Sequence, residues 1–368
     1  MNRALRCMNN LQILKLSADN DAMDEVTSLH AAAERFGIMF NGVVLPHLTH
    51  AYLDVPMSQE VVEFVHRHQD HLLVLSLDTL GEGRGNNSLL ERDMHLSSLL
   101  AVHATSDIIS IVVSSWLFPR VERISINRFD NSSDYVGVLN TVTTLDSSQD
   151  ARLALDLYRK GWNVELIEAV SSRVEWITEV NFVCLGGTDD LEPINMEVVL
   201  DARRCLARFF NLRSFQWYND LEYDPPEFFS MDKAYEIVAI FGETCPSLQY
   251  CQIPYSPLWR KIKDIWIPCE EMESEIFLDD TRPCEWMLEQ LAANSFPKCK
   301  ELVAYIEGAT EKLPEAKEVI RRFRTRPVEP LGNDKRRRAA EHLMRLGEKA
   351  GIWSFNCWLE ECNYSDDE

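Results

Sequence analysis

His71-Leu72-Leu73-Val74-Leu75-Ser76-Leu77 is the stretch on which the reading of the fold turns. Leu72, Leu75 and Leu77 stand at i, i+3 and i+5. The last two share one face of a short strand, because strand side chains alternate faces with period two. The pattern returns as Leu11/Leu14/Leu16, Leu48/Ala51/Leu53, Leu96/Leu99/Ala101, Val121/Ile124/Ile126, Ile177/Val180/Phe182, Leu212/Phe215/Trp217 and Leu248/Cys251/Ile253. A weaker copy, Leu153/Leu155, lacks the leading residue. Starts at 48, 72, 96 and 121 lie 24, 24 and 25 residues apart, inside the roughly 20–29 residues of one family of stacked repeats. Elsewhere the intervals stretch to 35–37 residues, so the array is irregular.

Between the strand cores the period changes to that of a helix. Val61, Phe64 and Val65 precede the Leu72 strand, and Ile108, Ile111 and Val112 precede Val121. Val199, Ala202, Leu206 and Phe209 precede Leu212, and Ala234, Ile237, Val238 and Phe241 precede Leu248. Each set lines one face of an amphipathic helix. Phe118-Pro119-Arg120 and Thr244-Cys245-Pro246-Ser247 supply prolines that stop the helix from running on. Helix, turn and strand therefore make one repeat, and the expected fold is α/β: an irregular leucine-rich-repeat solenoid with parallel strands and helices on the convex side. A doubly wound sheet also alternates helix and strand. Two features oppose it: the strands share one template, and no complete glycine-rich phosphate turn follows any of them. Gly81-Glu82-Gly83-Arg84-Gly85 comes nearest, but Asn86 and Ser88 stand where a third glycine is needed.

The template stops after Ile253. Residues 254–268 carry Trp259, Ile262, Ile265 and Trp266, which suit one last edge strand. Beyond them Met287/Leu288/Leu291, Leu302/Val303/Ile306, Val319/Ile320/Phe323 and Leu343/Met344/Leu346 read as helices. The expected division is a solenoid over 1–268 and a helical C-terminal cap over 269–368 that ends in the acidic Asp366-Asp367-Glu368. The first template leucine comes ten residues after Met1. The first repeat has barely any preceding helix, so upstream residues or a partner are expected to cover that end.

The net charge of −22 and pI near 4.8 exclude nucleic acid and anionic membrane as the main partner, since phosphate binding needs clustered Lys and Arg. A basic protein surface suits the balance better. The ten cysteines contain no CxxC pair, and there is no apolar signal segment near Met1. A reducing cytoplasmic or nuclear setting is expected.

No nucleophile elbow, Walker loop or kinase signature is present. With 59 carboxylates, chance proximity of two acids argues nothing about catalysis. The chain reads as a non-enzyme with no cofactor and no metal. His66, His68 and His71 lack the i, i+4 spacing of a helical metal pair and read as a solvated helix face. Arg321-Arg322-Phe323-Arg324-Thr325-Arg326 and Lys335-Arg336-Arg337-Arg338 resemble a bipartite nuclear signal, but pairing with nearby carboxylates on helix faces is the preferred reading.

Function is expected where the strands point outward. If template residues face the core, those between them tile a continuous partner-binding face: Lys15 and Ser17; His50, Tyr52 and Asp54; Ser76 and Asp78; Arg123, Ser125 and Asn127; Glu179 and Asn181; Gln216 and Tyr218; Tyr250 and Gln252. An acidic aromatic loop with Glu222, Tyr223, Asp224 and Phe228 follows at a strand exit and suits a basic peptide.

The segment from Ala234 to Pro254 with Trp259 and Trp266, together with Leu45-Pro46-His47-Leu48 and Phe118 to Ile126, resembles fungal F-box proteins with degenerate leucine-rich repeats, especially those of mushroom-forming fungi. The resemblance spans roughly residues 1–268 and rests on repeat rhythm. It implies a protein-interaction module that serves as the substrate-recognition part of a ubiquitin ligase adaptor. In that family an F-box grips the ligase subunit Skp1 while the repeats hold the substrate. No F-box segment is visible in this chain, so Skp1 is a partner only if an F-box lies upstream. The alternative is a stand-alone repeat scaffold with no ligase link.

Overall fold

The computed structural model describes residues 2–17, 34–78, 93–129, 135–145, 153–162, 164–185, 193–219, 229–269, 282–325 and 334–353. The chain is mixed α/β and divides into two compact units, Met1–Leu221 and Glu222–Glu368.

In the first unit the strands in chain order are β1 (Ile13–Ser17), β2 (His50–Asp54), β3 (Val74–Asp78), β4 (Met94–His95), β5 (Ala101–Thr105), β6 (Trp116–Leu117), β7 (Arg123–Phe129), β8 (Ala154–Lys160), β9 (Glu179–Leu185) and β10 (Ser214–Asn219). All but β4 and β6 form one parallel sheet in the order β1-β2-β3-β5-β7-β8-β9-β10. The order runs with the chain and never reverses, whereas a doubly wound sheet turns back at a switch point. β4 and β6 make a separate parallel pair.

The inward rows of this sheet are the template residues on every strand except β5 and β8. Leu53, Leu77, Ala104, Ile126, Leu157 and Phe182 lie side by side across neighbouring strands and are buried. They are covered by the apolar faces of helices such as Gln59–Arg67 and Ser106–Ser115, whose Val61, Phe64, Val65, Ile108 and Val112 are at most 2% exposed. Ser58 caps the first of these helices by accepting from the Val61 N–H. The expected helix over Val199–Phe209 is two short pieces, Met196–Asp201 and Arg203–Leu206, with the same residues buried.

Two template copies are placed differently from the sequence reading. Leu96 and Leu99 are both buried, but the strand starts only at Ala101, and Val102 and Ala104 face the core while Ala101 faces outward. The copy is Leu99/Val102/Ala104. Likewise Leu155 and Leu157, not Leu153 and Leu155, align with Ile124 and Ile126.

The turns explain the slip. The leading residue donates its N–H to the carbonyl three residues earlier, as in Leu48 to Leu45, Leu99 to Leu96, Val121 to Phe118 and Ile177 to Val174. The acceptor residues Leu45, Leu96, Phe118 and Val174 are themselves buried. The motif thus has a fourth apolar position at i−3, and a reading that starts there runs three residues early. The residue after the leader has its own duty. The carbonyls of Thr49, Leu73, Leu100 and Thr178 each accept two N–H groups from the start of the next strand in the sheet, so the turns are stitched to one another.

His68 closes the same kind of turn with a side chain. It is buried, its Nε2 accepts the Leu45 N–H at 2.8 Å, and its Nδ1 donates to the Phe64 carbonyl at 2.7 Å. His66 and His71 are exposed. The expectation of a fully solvated histidine face fails at His68, whose ring nitrogens both serve the backbone. Burial pushes its pKa below the ordinary 6.5, assisted by the nearby Arg67 and His71 charges and opposed by the hydrogen bond to Phe64. A depressed histidine pKa means the unfolded chain takes the proton first as pH falls. The His68 contribution to stability is therefore complete above about 6.5 and lost as pH falls toward the lower folded value. Urea unfolding at pH 7.5 and 5 is expected to show a smaller pH-dependent loss for His68→Gln than for wild type; equal losses would contradict the assignment.

The second unit contains the helix Met231–Thr244 and strands β11 (Tyr250–Gln252), β12 (Leu258–Ile262) and β13 (Ile265–Cys269), paired antiparallel in that order. The single edge strand expected over 254–268 is thus two strands, joined by a tight turn with Lys263 at φ 55°. Tyr235, Trp259, Trp286 and Phe296 form an aromatic cluster with ring centroids 5.4–6.0 Å apart. Helices Arg282–Ala293, Cys299–Ala309, Ala316–Thr325 and Asp334–Lys349 follow, and each carries apolar residues picked out by the sequence pattern. Arg321 and Arg322 both bond Glu318, Arg324 bonds Glu307, and Arg337 lies 3.6 Å from Glu341. These hydrogen bonds hold the Glu318 carboxyl down at about 2. Arg321, Arg322 and Arg324 of the first run and Arg337 of the second thus have carboxylate neighbours. The glycine loop at 81–87, Arg326 and the acidic tail lie outside the described residues.

Candidate functional site: the outward strand face of the first unit

Parallel register brings outward residues of different strands into rows. The middle row reads Lys15, Tyr52, Ser76, His103, Ser125, Asp156, Asn181 and Gln216, one residue from each of the eight strands of the parallel sheet. On its N-terminal side run Ile13, His50, Val74, Ala101, Arg123, Ala154, Glu179 and Ser214. On its C-terminal side Ser17, Asp54 and Asp78 are neighbours, and Asn127 pairs with Thr105.

The centre of this face is a hydrogen-bonded cluster around Asp156, whose side chain is only 6% exposed. Arg123 Nη1 donates to both carboxylate oxygens at 2.9 Å, the Ser125 hydroxyl donates to Oδ2 at 2.6 Å, and the Asn181 amide donates to Oδ1 at 2.7 Å. These donors come from β7 and β9, the two strands that flank β8. A buried carboxylate is tolerable only when its charge and lone pairs are met in this way. Arg123 reaches Glu179 less closely, with Nη2 3.4 Å from Oε2, and both side chains remain about two-fifths exposed. His103, one strand before Ser125, has its pKa pushed down by burial and by Arg123, with Asp156 acting the other way.

The sequence-selected residues fall out as follows. His50, Tyr52 and Asp54 lie together on β2, where Lys15 Nζ stands 5.1 Å from the Tyr52 ring centroid and Ser17 donates to Asp54. Asp78 ends β3, and Arg123 and Asn127 share a face of β7. Glu179 and Asn181 share β9, and Gln216 and Tyr218 share β10. Of these, Arg123, Glu179 and Asn181 join the Asp156 cluster. Tyr250 belongs to the second unit, where it is exposed opposite Arg260 on β12. Glu222, Tyr223, Asp224 and Phe228 lie outside the described residues.

Asp156 and His103 were missed, and both belong to the displaced template copies. Once Leu99/Val102/Ala104 and Leu155/Leu157 are the inward sets, His103 and Asp156 are the residues between them. The strict alternation Leu153-x-Leu155-x-Leu157 carried the signal for Asp156.

The arrangement can present a fixed pattern of charges and hydrogen-bonding groups; among the described residues no group of His, Cys, Asp and Glu is placed to hold a metal ion. No described helix is long and apolar enough to cross a membrane. No family model matches the chain, and neither a curated protein nor a solved structure matches it.

Proposed function

We propose that the chain is a protein-binding module, an irregular leucine-rich-repeat-like solenoid that recognises its partner through the outward strand face of the first unit. The reading is of recognition, not catalysis. The observation that carries it is the middle row itself: eight side chains from eight successive parallel strands, polar throughout, aligned in register. A sheet face left to solvent alone needs no buried carboxylate at its centre. Asp156, accepting four hydrogen bonds, instead fixes neighbouring side chains in one arrangement, which lowers the ordering cost of binding. Tyrosines at both ends of the face, Tyr52 and Tyr218, supply the aromatic contacts common at interfaces.

Affinity capture with wild type and with Tyr52→Ala/Tyr218→Ala tests this reading. A partner held by wild type and lost by the double variant supports it; identical partner sets reject the face as the binding surface. Delivery of that partner to a ubiquitin ligase requires an F-box joined to the repeats. Co-purification of Skp1 with the full-length protein separates the adaptor from the free-standing scaffold.

A further inference from the structure

We infer that the partner seats an arginine side chain on Glu179, so that the Asp156 cluster is a built receptor for one guanidinium group. The inference rests on the protein-binding reading above and specifies its chemistry.

The argument begins with charge. The cluster holds one cation, Arg123, and two carboxylates, Asp156 and Glu179; Ser125 and Asn181 are neutral, and burial keeps His103 toward its neutral form. One negative charge is left over. It belongs to Glu179, because Arg123 gives two 2.9 Å bonds to Asp156 and only a 3.4 Å approach to Glu179.

Space is the second element. The neighbours of Glu179 in its row are Ala154 on β8 and Ser214 on β10. Both are small and nearly buried, at 5% and 6% exposed, while the Glu179 side chain is 42% exposed. Arg123 reaches Glu179 across Ala154, so the open approach to the carboxylate is from the solvent side, where Glu179 itself is exposed. Arginine suits it better than lysine. Its planar fork matches a carboxylate with two parallel hydrogen bonds, and it is more weakly hydrated on entering a half-buried site. Arg123 is already committed to Asp156, so an incoming guanidinium displaces no strong bond.

The test uses the intact protein, NMR signals of the β9 backbone amides, and N-acetyl-arginine amide as probe. Its neutral isostere N-acetyl-citrulline amide is the control. The expected result is saturable shifts centred on Glu179 and Asn181, no comparable shifts with citrulline, and binding weakened about tenfold or more in Glu179→Gln. Shifts absent from β9, scattered over the acidic surface, or equal for the two probes would overturn the inference, as would undiminished binding in the variant. Should Glu179→Gln not fold, the two probes on wild type decide alone. If arginine fails at Glu179 while Tyr52→Ala/Tyr218→Ala still loses its partner, the binding face stands and only the receptor assignment falls.

Discussion

Replacing Asp156 with alanine is expected to destabilise the first unit by about 3 kcal/mol, within the roughly 3–5 kcal/mol for breaking a buried ion pair and lowered because Arg123 is partly exposed. Three donors, on Arg123, Ser125 and Asn181, lose their acceptor in one step. The stranded Ser125 is itself buried. Arg123→Ala is expected to cost at least as much, because it leaves the Asp156 charge buried without its counter-ion, whereas Asp156→Ala leaves a guanidinium that reaches water. The double variant should cost clearly less than the sum of the singles, since both remove one interaction. Urea unfolding of the four proteins closes the cycle, and additive losses would show that the pair is not coupled. A second readout is independent of stability. Burial holds the His103 pKa down and Asp156 acts to raise it, so in Asp156→Ala the imidazole should titrate at lower pH than in wild type. NMR titration follows this directly.

Gly242→Ala is the second large effect, and its sign opposes the usual rule. Glycine inside a helix normally costs about 1 kcal/mol relative to alanine, and Gly242 lies inside Met231–Thr244. A methyl group there would stand 2.6 Å from Trp266 Nε1 and 2.7 Å from its Cζ2. Trp266 is buried, at 3% exposed, on β13, so the ring has no solvent to move into. Overpacking of this kind costs about 1–3 kcal/mol, which outweighs the propensity gain. A net loss of about 1–2 kcal/mol is expected by chemical denaturation. A stabilised Gly242→Ala would mean that the indole yields freely.

How far the sequence disclosed this depends on which residues carried a repeated signal. Strand positions with an apolar leader and two alternating core residues, such as Leu72/Leu75/Leu77 and Leu212/Phe215/Trp217, are found where the pattern puts them. At Leu96 the pattern misleads because the buried turn residue at i−3 mimics a leader. Three-residue spacing cannot tell the two apart, and only the later alternation Val102/Ala104 does. At residues 153–157 three alternating leucines leave the frame open by two. The candidate site suffered most, since an outward residue is identified only after its inward neighbours are fixed. The pairing of Asp156 with Arg123 and Asn181 was beyond any local reading. It joins residues 33 and 25 positions apart and follows from register between strands, which no single strand encodes.

The doubly accepting carbonyls at the strand entrances have one further implication. Thr49, Leu73, Leu100 and Thr178 tie consecutive layers together at a fixed distance ahead of each strand, whereas the connections leaving the strands differ widely in length. Extra chain inserted beyond a strand's exit leaves the stitched edge, and the alignment of every side chain downstream of it, unchanged. The exits can thus differ in length and composition from strand to strand while one ruler sets the alignment of the outward face.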